Sequence, residues 1–146
     1  MSLISPVDQQ KLRDAFAEMT RPVRLLFFTQ ALGCETCLQT RQILDELPQL
    51  SDRIAIDEVN LVLEPDRATK YGVDRVPAIA VEYEEEGERR DSRIRFLGAP
   101  AGYEFVSLVH AVILARGGAS MLSPEARTRL ASVDKPVTMQ VFTTPT

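Results

Sequence analysis

Cys34-Glu35-Thr36-Cys37 lies between two stretches with different hydrophobic patterns, and this junction constrains the fold more than any other feature. Upstream, Pro22-Val23-Arg24-Leu25-Leu26-Phe27-Phe28 is a short apolar run of the kind that forms a buried strand. Downstream, Thr40, Ile43, Leu44, Leu47 and Leu50 recur at helical spacing. The two cysteines are the only ones in 146 residues. A Cys-x-x-Cys pair between a strand and a helix suits dithiol–disulfide chemistry. A helix that starts at or just after Cys34 turns the unpaired N–H groups of its first turn toward that sulfur, and its dipole favours the thiolate. Cys37, one turn on, is then placed to resolve a mixed disulfide. A structural zinc site needs four ligands, whereas this chain offers one cysteine pair and the distant His110, so a metal would have to be shared between chains. An inert pair is the other alternative. The dithiol reading calls for no metal and no organic cofactor.

The bulk properties narrow the partners. A composition 45% hydrophobic and 26% charged supports a soluble domain with a packed core. The net charge of −4, with basic residues scattered among acids, argues against nucleic acid as a partner. No run approaches the roughly 18 apolar residues of a membrane span, and Met1-Ser2-Leu3-Ile4-Ser5-Pro6 lacks the basic and apolar regions of a signal peptide. A cytoplasmic location without membrane contact is therefore expected. In that compartment a lone cysteine pair points to catalysis over structure.

Taken in order, Ser5-Pro6-Val7-Asp8 has the capping serine, first-turn proline and following acid of a helix start. Leu12, Ala15, Phe16 and Met19 share one face of that helix. A first strand is expected over Val23–Thr29, then a helix to about Leu47, a second strand over Arg53–Asn60, and a short helix from Pro65 to Tyr71 ended by Gly72. Ala78–Tyr83 and Ser92–Leu97 are expected as strands joined by a polar turn over Glu84–Asp91, a solvated charge run. A last helix runs from Tyr103 to Arg116 and stops at Gly117-Gly118. The order β-α-β-α-β-β-α after a leading helix gives an α/β fold: a four-stranded mixed sheet with helices on both faces.

A broken repeat follows. Leu122-Ser123-Pro124 echoes Ile4-Ser5-Pro6, and Lys135-Pro136-Val137-Thr138-Met139-Gln140-Val141-Phe142-Thr143 echoes the segment from Arg21 to Thr29. The two offsets, 118 and 114, differ by four residues, so the later helix should be about one turn shorter with the same face buried. The expected organisation is one unit over 1–118 and the first helix and strand of a second unit over 119–146. In this view the sequence stops just before a second active-site motif. Left without that unit, the Val-Met-Val-Phe strand should dock on the first unit or pair with another chain, a route to self-association.

The chain resembles the thioredoxin superfamily. More narrowly, it resembles the amino-terminal half of the tandem glutaredoxin-like protein disulfide oxidoreductases of archaea and thermophilic bacteria. The resemblance is carried by Leu3-Ile4-Ser5, Pro22-Val23, Cys34-Glu35-Thr36-Cys37, the Tyr71–Ala78 segment with its Val76-Pro77, and Phe96-Leu97-Gly98-Ala99-Pro100-Ala101-Gly102-Tyr103-Glu104-Phe105. It implies a thioredoxin/glutaredoxin-like fold preceded by an extra N-terminal helix, and a cis Val76–Pro77 bond beside the cysteines. It also implies a Val76 backbone free to pair with an extended substrate peptide. Catalytic Cys34 and Cys37, substrate-binding Val76 and Pro77, protein disulfides as substrates, and a thiol or flavin reductase as electron donor follow from the same likeness. The motif interior, Glu35-Thr36, departs from the aromatic or proline usual in the family: a carboxylate beside Cys34 opposes the thiolate, against the helix terminus. Asp57 and Glu58 are the nearest candidates for moving a proton, with a surface or structural role as the plainer reading. The alternative function is a non-catalytic docking half whose missing partner unit carries the activity.

Overall fold

The computed structural model describes residues 2–144. Helix α1 spans Pro6–Ala17, and Ser5 caps it by accepting the Asp8 backbone N–H. Strand β1 (Val23–Thr29) has five consecutive buried residues at its end, as the unbroken apolar run requires of a strand covered on both faces. Then follow α2 (Cys37–Asp45), β2 (Ile54–Asn60), α3 (Pro65–Lys70), β3 (Ala78–Glu85), β4 (Glu88–Leu97), α4 (Tyr103–Ala115) and α5 (Pro124–Ala131). Among the described residues no helix is long and apolar enough to cross a membrane.

The strands form one mixed sheet in the order β2-β1-β3-β4. β1 is parallel to β2 and antiparallel to β3, and β3 is antiparallel to β4. Alternation along β1 splits the core in two. Val23, Leu25 and Phe27 join Ile79 and Val81 in the larger cluster, with Phe16 of α1, Leu44 of α2 and Leu108 and Val112 of α4. Leu26 and Phe28 face the other way and pack with Val59, Ala78, Ala80, Ala68 of α3 and Val73. Helices therefore cover both faces, as expected.

Three expectations about extent are corrected. First, α2 starts at Cys37, with Cys34 three residues ahead of it. Gly33 takes a positive φ of 72°, and Glu35-Thr36 form a turn before the helix begins. Second, the charge run is mostly strand and not a loop. β3 continues to Glu85 and β4 begins at Glu88, leaving Glu86-Gly87, with φ of 53° and 78°, as a tight two-residue tip. That is the backbone hairpins prefer. Cross-strand charge pairing supports it: Glu84 stands opposite Arg89, and Arg90 reaches Glu85 at 3.0 Å.

Third, no strand forms over residues 136–144 and the segment does not dock. Val137, Met139, Val141 and Phe142 stay exposed, at 72 to 89%. Among the described residues its one side-chain tie to the first unit is a hydrogen bond from Thr143 to Glu104. The reason is the absence of flanking strands. Val23, Leu25, Phe27 and Phe28, at the corresponding positions, are buried because β2 and β3 hydrogen-bond β1 on either side. α5 forms nonetheless, since its cap is local: Ser123 accepts the Ala126 N–H as Ser5 accepts that of Asp8. It has 8 residues against 12 in α1, the one-turn difference the offsets imply. Residues 145 and 146, which follow the repeated stretch, lie outside the described residues.

Candidate active site

One end of the sheet gathers the motif residues. In register Phe28 stands opposite Ala78, and Ala78 opposite Leu97. The loop from β1 to Cys34, the Val76-Pro77 step entering β3, and the Gly98 turn leaving β4 therefore emerge side by side. The loop after β2 joins them through the Leu61 N–H, which donates to the Thr29 carbonyl at 2.8 Å.

Cys34 and Cys37 form a disulfide with a Cα–Cα distance of 5.5 Å. Their exposure differs. Cys37 is 7% exposed and belongs to the larger core cluster, whereas Cys34 is half-buried and packs against that cluster from its edge. Cys37 is the first residue of α2, so the bond holds the Cys34 sulfur against the helix start. The first intrahelical bond is from the Thr40 N–H to the Thr36 carbonyl at 2.9 Å. Ahead of it, the N–H groups of Cys37, Leu38 and Gln39 have no helical carbonyl to bond. The first turn carries neither an acidic side chain nor a side-chain cap, so its positive end is not neutralised from within the helix. Glu35 and Thr36 are exposed in the turn that precedes it. Thr40, fully buried behind the cysteines, donates its hydroxyl to the Thr36 carbonyl at 2.8 Å and fixes that turn.

The Val76–Pro77 peptide bond is cis. Val76 is half-buried and packs against both core clusters, the larger of which also receives Cys34. Pro77 is buried, and its carbonyl accepts the Gly98 N–H at 2.9 Å. Among the described residues, neither the N–H nor the C=O of Val76 has a hydrogen-bond partner. Asp57 and Glu58 are not brought to the site as free carboxylates. Asp57 is paired with Arg67 at 2.9 Å, and Glu58 with Arg41 of α2. Among the described residues no three His, Cys, Asp or Glu side chains are grouped so as to hold a metal ion.

The sequence reading missed an apolar rim around this end of the sheet. Leu32 and Leu38, on either side of the cysteines in the chain, Val62 and Leu63 in the turn after β2, and Leu97 at the end of β4 are all exposed. Leu32 and Leu38 lie two before the motif and one after it, a signal that was available in the sequence.

A four-stranded mixed sheet, helices on both faces and a Cys-x-x-Cys disulfide where a strand meets a helix place the chain in the thioredoxin superfamily. Among particular proteins, it is 26% identical over 78 residues to a protein described as a probable thioredoxin from Methanothermobacter thermautotrophicus, covering 53% of this chain and 81% of that one. A thioredoxin from Methanocaldococcus jannaschii is 24% identical over 88 residues, 60% of this chain and 92% of the other. Two solved structures resemble more of the chain. The NTD_N/C domain of alkylhydroperoxide reductase AhpF from Enterococcus faecalis superposes with a TM-score of 0.78 at 27% identity over 90% of this chain. A protein disulfide oxidoreductase from Aeropyrum pernix does so with a TM-score of 0.71 at 26% identity over 88%. The chain spans 62% and 54% of those two structures. No family model matches it.

Proposed function

We propose that this chain exchanges disulfides with protein substrates through Cys34 and Cys37, as a unit of the tandem glutaredoxin-like kind. One observation carries the reading: a half-buried Cys34, bonded to a buried Cys37, sits at the same sheet end as a Val76 backbone whose N–H and C=O are both without partners among the described residues. An extended peptide can bond to both groups as an added strand while its disulfide meets Cys34.

In the reduced dithiol, the Cys34 thiolate attacks one sulfur of the substrate disulfide. A mixed disulfide forms and one substrate thiolate leaves. Cys37, deprotonated in turn, attacks the Cys34 sulfur and expels the second substrate thiolate. The substrate gains two electrons and two protons, and Cys34–Cys37 returns to the disulfide. A cellular dithiol or flavin reductase then restores the dithiol.

On this reading the chain divides into a redox unit over 1–118 and, over 119–146, the opening helix of a second unit followed by the strand-like sequence that repeats β1 without forming a strand here. The shared serine cap of α1 and α5 and the one-turn difference in their lengths support this division. So does a likeness to the two solved structures that extends over 90% and 88% of this chain.

The test is dithiothreitol-linked insulin reduction with the Cys34→Ser and Cys37→Ser variants. Cys34→Ser should lose turnover, and Cys37→Ser should accumulate mixed disulfides visible by non-reducing electrophoresis. Full activity in Cys34→Ser would contradict the mechanism. A Cys34–Cys37 potential within roughly −120 to −270 mV supports exchange, and one far below about −300 mV favours a structural bond in a docking half.

A further inference from the structure

The loop that carries Val76-Pro77 is fastened at both ends, and the fastening at its near end is more elaborate than helix termination requires. The far end enters β3 and is held by the sheet register and by the Gly98 N–H on the Pro77 carbonyl. The near end is Tyr71, the C-cap of α3. α3 has only six residues, too few to hold its own end firmly.

Tyr71 is nevertheless tied to three strands. Its ring lies against Phe28 of β1, with centroids 6.0 Å apart. Its carbonyl accepts the Arg95 Nε–H of β4 at 3.0 Å, and the Arg95 guanidinium sits 5.4 Å from the centre of its ring. Its hydroxyl donates to Glu82 of β3. Arg95 is fixed in turn by two hydrogen bonds to Asp91, at 2.8 and 2.6 Å.

Glu82 is the unusual member. It is 5% exposed, follows Ala78 and Ala80 on the α3 side of the sheet, and stands in register between Arg24 of β1 and Asp91 of β4. A carboxylate so withdrawn from water is costly, and an apolar side chain would continue the small-residue packing of Ala78 and Ala80. Burial and the Glu82 bond push the Tyr71 phenol up to about 12, so it remains a donor throughout the working pH range.

We propose that Tyr71, held by Glu82 and Arg95, is a positioning residue that fixes the Val76-Pro77 segment where a substrate peptide adds to it. This rests on the reading of Val76 as the substrate-pairing backbone. Tyr71 lies at the other end of a six-residue connection and touches no sulfur, so its effect should fall on peptide binding and spare the thiol chemistry.

The experiment compares wild type with Tyr71→Phe and Arg95→Lys on two substrates, insulin and the small aromatic disulfide 5,5′-dithiobis(2-nitrobenzoate), which has no peptide to pair with Val76. Tyr71→Phe keeps the ring and removes the bond to Glu82; Arg95→Lys keeps the charge and removes the fork that grips Asp91 and the Tyr71 carbonyl. The expected result is a five- to tenfold rise in KM for insulin, about one hydrogen bond's worth, with kcat and the small-disulfide rate within twofold of wild type. Glu82→Gln, which retains an acceptor for the Tyr71 hydroxyl, should keep KM near wild type. Unchanged KM for insulin in a folded Tyr71→Phe overturns the proposal, and so does an equal loss on both substrates, which would mark a general structural role. If Tyr71→Phe does not fold, Arg95→Lys distinguishes the same outcomes. A wild-type chain that reduces only the small disulfide refutes the protein-substrate reading itself. A wild type active on both with indifferent variants refutes only the positioning role.

Discussion

Phe28 and Phe142 occupy corresponding places in the repeated helix–strand segment, so truncating each to alanine asks how much of the second copy is packed. Phe28 is fully buried between β1 and α3, and Phe142 is 89% exposed. Removing a fully buried phenylalanine side chain costs about 3–5 kcal/mol, counting lost transfer energy and the cavity left behind. For Phe142 about a tenth of a ~200 Å² side chain has left water, which at ~25 cal/mol/Å² comes to about 0.5 kcal/mol. The two variants should therefore differ by at least about 2.5 kcal/mol. The assay is urea unfolding followed by far-ultraviolet circular dichroism at several protein concentrations. Phe28→Ala should lower the midpoint strongly at unchanged m, and Phe142→Ala should leave it nearly in place. A cost above about 1.5 kcal/mol for Phe142→Ala would show the segment buried, and a concentration-dependent cost would place it in a second copy. A cost below about 1.5 kcal/mol for Phe28→Ala would refute the packing of the α3 face.

The capping serines should separate in the same way. Ser5→Ala should destabilise by about 1 kcal/mol, because α1 buries Phe16, whereas Ser123→Ala should leave global unfolding unchanged, since α5 buries no residue. Asp91 sets a pH dependence. The hydrogen bonds from Arg95 hold its carboxyl below the usual carboxylate range in the folded state. Its contribution is thus present above the unfolded value near 3.9 and lost as pH falls through the lower folded one. Asp91→Asn should flatten the urea midpoint against pH below about 4, and an unchanged acid limb would count against the pair.

Much of this fold was legible because its strongest elements are stated locally. The β1 run is apolar on both faces, and its bounds, Val23–Thr29, are those the sequence predicts. Ser5-Pro6 marks the start of α1, and Gly72, at a φ of 66°, marks the end of α3. The misjudged segments depend on partners. Glu84 and Arg89–Asp91 are too polar to suggest strands, yet each finds a place opposite another strand residue once the Glu86-Gly87 tip forms. Pro136–Thr143 has a strand's composition but no neighbours, so composition alone promised too much. At the site, the cysteine spacing announced the disulfide, while the placing of α2 three residues later turned on the backbone at Gly33 and the Thr40–Thr36 bond. The Tyr71–Glu82–Arg95 network joins residues 11 and 24 apart in the chain, and no periodicity links them.

The unequal burial of the two sulfurs also makes the protein a selective chemical handle. After gentle reduction, a bulky maleimide should meet Cys34 while Cys37 remains shielded in the core. A fluorophore or surface tether attached in this way would stand at the rim formed by Leu32 and Leu97, where an incoming polypeptide would alter its emission, so a label at one atom could report docking without any second reporter.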